Sequence, residues 1–111
     1  MQETPLGISC QELQQKLARG APLLLVDCRE PEEHALAAIP GNMLLPMSQW
    51  DEKQQQLAGH RDRPIVVYCH LGVRSRQVAA GLREQGFAAV QSLDGGIDAW
   101  AVEIDPGMAR Y

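Results

Sequence analysis

The chain has little of what several functional classes require. Its longest apolar runs are about five or six residues, far short of the roughly 20 that a membrane-spanning helix needs, so no membrane association is expected. Positive charge is not in excess: Lys and Arg number 10 against 14 Asp and Glu, a net charge of −4, which argues against nucleic acid as a partner. The opening Met1-Gln2-Glu3-Thr4-Pro5 has neither the basic nor the apolar part of a secretory signal. Cysteine is scarce. Cys10, Cys28 and Cys69 are odd in number and widely spaced, so a disulfide framework is not expected and a reducing, cytoplasmic location is. No Cys/His spacing resembles a zinc site, and Gly95-Gly96 is too short for a nucleotide-binding fingerprint, so the sequence predicts neither a metal nor a cofactor.

Linkers, repeats and low-complexity segments are also missing; the Gln54-Gln55-Gln56 run is too short to count. What remains suits one globular domain over residues 1–111, with 45% hydrophobic and 22% charged residues. Ser9-Cys10-Gln11-Glu12 has capping-box spacing and opens a helix with Leu13 and Leu17 on one face, ended by Gly20-Ala21-Pro22. Leu23–Val26 reads as a buried strand with Asp27-Cys28-Arg29-Glu30 at its C-terminal end. Pro31 suits the first turn of a short helix carrying Leu36 and Ile39. Met43–Leu45 is a short strand closed by Pro46, and Ser48 is placed to cap a glutamine-rich helix running to Leu57. Ile65–Cys69 is a β-branched strand, Arg76–Gln85 a helix burying Val78, Ala79 and Leu82, and Ala88–Leu93 a further strand. Asp94-Gly95-Gly96 turns into a last helix containing Trp100. Strands alternating with helices predict an α/β fold with a mainly parallel sheet covered on both faces, whose site lies beyond the carboxyl ends of the strands.

Cys69 occupies such an end. It is followed by His70-Leu71-Gly72-Val73-Arg74-Ser75, a short glycine-containing loop that opens a helix. Free backbone N–H groups and the positive end of a helix dipole gather around an acceptor placed there, and a thiolate is favoured by both. A free cysteine, with a pKa of about 8.5, is about 3% ionised at pH 7, and surroundings of this kind raise that fraction many-fold. Arg74 adds a fixed positive charge and Ser75 a hydroxyl. A cysteine-dependent phosphatase needs Cys, five residues, then Arg; here that position holds Ser75, with arginines on either side of it at 74 and 76. The loop is one residue short for a phosphate and better sized for a single added sulfur. His70 adjoins Cys69, yet neighbours on a tight loop usually point apart, so its amide matters here more than its ring. Asp27 and Arg29 alternate along one strand face and are read as an ion pair bracing the site. Cys28 reads as a packing residue, with a second redox thiol as the alternative. His34, His60 and Arg76 read as surface residues.

These pieces resemble a single-domain rhodanese, a sulfurtransferase family. The matching segments are Val26-Asp27-Cys28-Arg29-Glu30-Pro31, Ile39-Pro40-Gly41, Ile65–Cys69, Gly72-Val73-Arg74-Ser75 and Leu93-Asp94-Gly95-Gly96-Ile97 with Trp100, in family order over nearly the whole chain. The resemblance implies a five-stranded, mainly parallel central sheet with helices on both faces. It also implies a thiosulfate:cyanide-like reaction in which a cysteine takes sulfane sulfur from a donor, becomes a persulfide and passes the sulfur to a thiophilic acceptor. Carried onto this chain, Cys69 is the nucleophile, the amides of His70, Leu71, Gly72, Val73, Arg74 and Ser75 are its cradle, and Arg74 holds an anionic donor or acceptor. The implied partners are a small sulfur donor such as thiosulfate or a protein persulfide, and a sulfur-acceptor protein. Two positions depart from the pattern: Cys28 replaces an aliphatic residue, and Ala37-Ala38 replaces Gly-His before Ile39. The tail Glu103–Tyr111 resembles the ends of rhodanese domains fused to adenylyltransferases. A non-catalytic binding module and a phosphatase or arsenate reductase on the same fold are the alternative readings.

Overall fold

The computed structural model describes residues 4–111; Met1–Glu3, part of the segment read above for a targeting signal, lie outside them. Among the described residues strands and α-helices alternate: strand β1 (Gly7–Ile8), helix α1 (Cys10–Ala18), β2 (Leu24–Asp27), α2 (Pro31–Leu36), β3 (Met43–Leu44), α3 (Trp50–Lys53), β4 (Ile65–Tyr68), α4 (Val73–Glu84), β5 (Val90–Leu93) and α5 (Gly96–Glu103). The strands form one five-stranded sheet in the order β1-β5-β4-β2-β3, and every pairing is parallel. β4 and β5 are buried along their whole length, as the central strands of a sheet covered on both faces must be. One face packs Val26, Val67, Leu57 and Phe87 against Val78, Ala79 and Leu82 of α4. The other packs Leu25, Val66 and Tyr68 against Leu13 of α1 and Ile97 and Trp100 of α5. Among the described residues no helix is long and apolar enough to cross a membrane.

The expected elements are present with several differences, one being that α2 ends at Leu36, so Ile39 lies in the core beyond the helix expected to carry it. β1 has no counterpart in the sequence reading, because two residues carry no periodicity; it is held by backbone bonds to β5, Ser92 N–H to Leu6 O at 2.7 Å and Asp94 N–H to Ile8 O at 2.9 Å. The helix expected from Ser48 to Leu57 is broken into a 3-10 turn (Met47–Gln49), the single α-turn of α3 and a 3-10 stretch (Gln54–His60). Only Leu57 of this stretch is fully buried, so no apolar stripe holds a continuous α-helix. Ser48 does not cap it; its N–H and hydroxyl both donate to the Glu30 carboxylate. β5 begins at Val90 instead of Ala88, and α4 begins at Val73 instead of Arg76, which brings Arg74 and Ser75 into the first helical turn.

The expected Asp27–Arg29 pair is formed, and both side chains are fully buried, with N···O 2.7 Å. All five N–H groups of the guanidinium are satisfied. Nε and Nη2 donate to the two Asp27 carboxylate oxygens at 2.9 and 2.7 Å. Nη2 also reaches Ala37 O at 2.6 Å, while Nη1 reaches Glu33 O at 3.2 Å and the Tyr111 hydroxyl at 3.0 Å. One buried cation thus ties the end of β2 to the end of α2 and to the tail. Removing one partner of such a pair strands the other charge in a low-dielectric interior. Arg29→Ala should therefore lower the unfolding free energy by about 3–5 kcal/mol, read from urea denaturation. A loss below about 1 kcal/mol would show that Asp27 finds other partners and that the pair is not the brace.

Candidate active site

Cys69 follows the last residue of β4 and is buried. The chain then turns through His70 and Leu71 to Gly72, whose left-handed backbone (φ +98°) is the cap of α4. A helix begins with N–H groups that have no partner inside the helix. Here a sulfur supplies one: Cys69 Sγ accepts the N–H of Gly72 at 3.1 Å and the N–H of Ser75 at 3.4 Å. The Ser75 hydroxyl lies 3.4 Å from the same sulfur and 2.8 Å from the hydroxyl of Ser92 on β5. Two amides and a hydroxyl converging on one sulfur, at the start of a helix, stabilise negative charge on it.

The loop is held from behind by the turn that opens α5. Ile97 N–H donates to Cys69 O at 2.8 Å, and Asp98 N–H donates to His70 O at 3.1 Å. That approach requires glycine at 96. Its φ is +63°, and a Cβ there would overlap His70 O and come within 2.6 Å of Cys69 O. Gly72 is constrained by its own positive φ, and a Cβ on it would make a tight contact of 3.2 Å with Gly95 N.

Above the sulfur is a cleft of about 140 Å³ lined by Cys69, His70, Leu71, Val73 and Arg74. Leu71 and Val73 are exposed and give it an apolar rim. Arg74 is half-buried and makes a bidentate pair with Glu33 of α2, at 2.7 and 2.8 Å, leaving three of its five N–H groups without a partner among the described residues. The Arg74 guanidinium, with help from the Glu30 backbone and the Tyr111 hydroxyl, outweighs burial and holds the Glu33 carboxyl down at about 2. Tyr111 closes the side of the site: its hydroxyl donates to Glu33 at 2.7 Å, and its ring stacks on that of His70 at 3.9 Å between centroids. Among the described residues His70 Nε2 is the one buried side-chain nitrogen or oxygen without a partner. No hydrogen bond joins the His70 ring to Cys69 Sγ, whose partners are Gly72 and Ser75.

A rhodanese-like domain is matched over residues 9–103. The chain belongs to the rhodanese-like family. A sulfurtransferase of Allochromatium vinosum is 42% identical over 85% of this chain and 86% of its own length. The probable adenylyltransferase/sulfurtransferase MoeZ of Mycobacterium tuberculosis is 36% identical over 94% of this chain, which spans only 26% of MoeZ. Among solved structures, a rhodanese-like domain protein from Staphylococcus aureus superposes with a TM-score of 0.76 at 30% identity, covering 96% of this chain and 99% of the other. Sulfurtransferase names among these relatives support sulfur transfer as the family's general chemistry.

On this rhodanese-like frame the sequence-derived residues gather at one point. Of the six amides expected as the cradle, those of Gly72 and Ser75 bond to Cys69 Sγ, while His70, Leu71, Val73 and Arg74 line the cleft. Asp27 and Arg29 do not reach the sulfur; they act through α2 and Tyr111. Glu33, Ser92, Gly96 and Tyr111 were not singled out in the sequence. Gly96 is marked there only as part of a turn, and nothing in the sequence pairs Glu33 with Arg74 across 41 positions.

Gly96→Ala should lower stability by more than about 1 kcal/mol and slow iodoacetamide alkylation of Cys69, because positive φ and carbonyl overlap are imposed together. Unchanged stability and alkylation would show that the turn yields without disturbing the loop. Glu33 gives a pH test. Its carboxyl is more acidic in the fold than the ordinary value of 4.5, so its contribution to stability is complete above that value and is lost as pH falls through about 2. The stability gap between the wild type and Glu33→Gln, measured by urea denaturation, should be flat at neutral pH and shrink toward pH 2. A gap independent of pH would detach it from the Glu33 charge.

Proposed function

We propose that this protein is a sulfurtransferase in which Cys69 takes sulfane sulfur from a donor, holds it as a persulfide and delivers it to a thiophilic acceptor. The supporting observation is the sulfur of Cys69 at the floor of an open cleft, facing two amides and a hydroxyl within 3.4 Å. With thiosulfate as donor, Cys69 Sγ attacks the outer sulfur. The new S–S bond forms as the old one breaks, and the electron pair leaves with sulfite. The loop amides then stabilise the negative persulfide as they do the thiolate, so the resting and loaded states are both accommodated without rebuilding the site. Arg74 offers its remaining N–H groups to an anionic donor, with Glu33 fixing the plane of its guanidinium. The acceptor attacks the outer sulfur from the open side, across the apolar rim of Leu71 and Val73. An acceptor protein suits that rim, and the adenylyltransferase/sulfurtransferase relatives suit such a partner.

Phosphate chemistry is less well served. The position at which a phosphatase loop carries its arginine is Ser75, which is buried and bonded to Cys69 and Ser92, so no guanidinium enters from there.

Incubation with thiosulfate should add one sulfur to the intact mass of the wild type and none to Cys69→Ala, whose transfer activity should be abolished. Cys10→Ala should load normally, since Cys10 lies in the core on the opposite face of the sheet. Sulfur uptake by Cys69→Ala would falsify the assignment.

A further inference from the structure

Cys28 lies one residue beyond β2, as Cys69 lies one residue beyond β4. The two strands pair in parallel with Asp27 beside Tyr68, and Cys28 N–H to Tyr68 O at 3.1 Å carries the ladder one step further. Cys28 therefore stands beside Cys69. Side chains alternate along a strand, and in a parallel pair neighbouring residues point to the same face. Val26 and Cys28 on one strand and Val67 and Cys69 on the other accordingly belong to the same core cluster, while Leu25, Val66 and Tyr68 belong to the opposite one. Adjacent strands are about 4.8 Å apart, inside the window of about 4.4–6.8 Å between Cα atoms that a disulfide accepts. Both thiols are free and buried, and Cys10 is on the far face of the sheet.

We propose that Cys28 is a resolving thiol for Cys69, converting the Cys69 persulfide into a Cys28–Cys69 disulfide with release of sulfide when no acceptor takes the sulfur. The inference rests on the reading that Cys69 carries a persulfide. In the step, Cys28 Sγ attacks Cys69 Sγ. The Cys28–Cys69 S–S bond forms, the bond from Cys69 Sγ to the outer sulfur breaks, and that sulfur leaves with the electron pair as sulfide, taking up the thiol proton. Two thiol-level sulfurs are oxidised to a disulfide and one sulfane sulfur is reduced to sulfide, so no external oxidant enters. An external thiol reductant restores the dithiol.

The surroundings also set the pace. Burial above all, and then the neighbouring Cys69 sulfur and Asp27, push the Cys28 thiol far above the ordinary cysteine range, so it stays protonated. A protonated thiol is a poor nucleophile. Cys28 therefore does not compete with Cys69 for the donor, and an acceptor at the open side of the cleft takes the sulfur before Cys28 does. The disulfide forms from persulfide left waiting.

The test loads wild type, Cys28→Ser and Cys28→Ala with thiosulfate and, in parallel, with inorganic polysulfide. Donor is removed, and non-reducing intact mass, released sulfide and linked peptides are followed without an acceptor. The wild type should lose the added sulfur, release one sulfide per loaded chain and finish two hydrogens lighter than the reduced protein, with the peptides of Cys28 and Cys69 linked. Both variants should keep the added sulfur longer and release no matching sulfide. A wild-type persulfide as durable as that of the variants, or one lost without the Cys28–Cys69 link, overturns the proposal and leaves the sulfurtransferase reading standing. Failure of all three proteins to load from either donor overturns both. Diamide treatment of unloaded wild type supplies a reading independent of loading: it should link Cys28 to Cys69 and leave Cys10 free, and a link to Cys10 instead would contradict the pairing.

Discussion

The guanidinium of Arg29 is the contact on which the surroundings of the site depend. A fully buried cation is costly unless every donor is matched, and here each N–H group has an acceptor: the two Asp27 oxygens, two carbonyls of the α2 region and the Tyr111 hydroxyl. These partners come from three parts of the chain, so matching them fixes where α2 and the tail lie relative to the end of β2. Glu33 is then placed to engage Arg74, and Tyr111 to stack on His70. The chain of contacts runs from a structural ion pair, through a carboxylate held ionised, to the cleft wall. Packing alone could keep these elements near one another, but it would not orient a planar fork.

The sulfur site obeys a different constraint. Among the described residues Cys69 has no acidic or basic side chain in hydrogen-bonding contact; its partners are two backbone amides and a neutral hydroxyl. Fixed dipoles of this kind need no reorganisation when charge moves from one sulfur to another, which suits a site proposed to alternate between thiolate and persulfide. Their geometry is maintained by glycine, at 72 to let the helix start under the sulfur and at 96 to let the next turn press against the loop.

Much of this was legible beforehand. The β-branched run at 65–69, the glycine three residues after Cys69 and the helical pattern beyond it place a thiol at a strand end facing a helix start, and that is where the structure has it. The Asp27–Arg29 spacing carried the ion pair, although β2 ends at Asp27 and Arg29 stands in the bend beyond it, where its N–H also donates to the Asp27 carboxylate. Other features gave no signal. A strand of two residues has no period, and the stretch from Met47 to His60 contains too few apolar positions for its helix type to be read.

The sequence by itself determined the local events: which segments form four of the five strands, that Cys69 stands at a strand end before a helix start, and that Ser75 occupies the position at which a phosphatase would carry arginine. These follow from neighbours within a few residues, where propensity and spacing act directly. Only the tertiary structure decided that Glu33 orients Arg74, that Ser92 backs Ser75, that Tyr111 covers His70, and that Cys28 stands beside Cys69. Each of these contacts joins positions far apart in the chain, and it exists because strand order and parallel register bring them to the same end of one sheet.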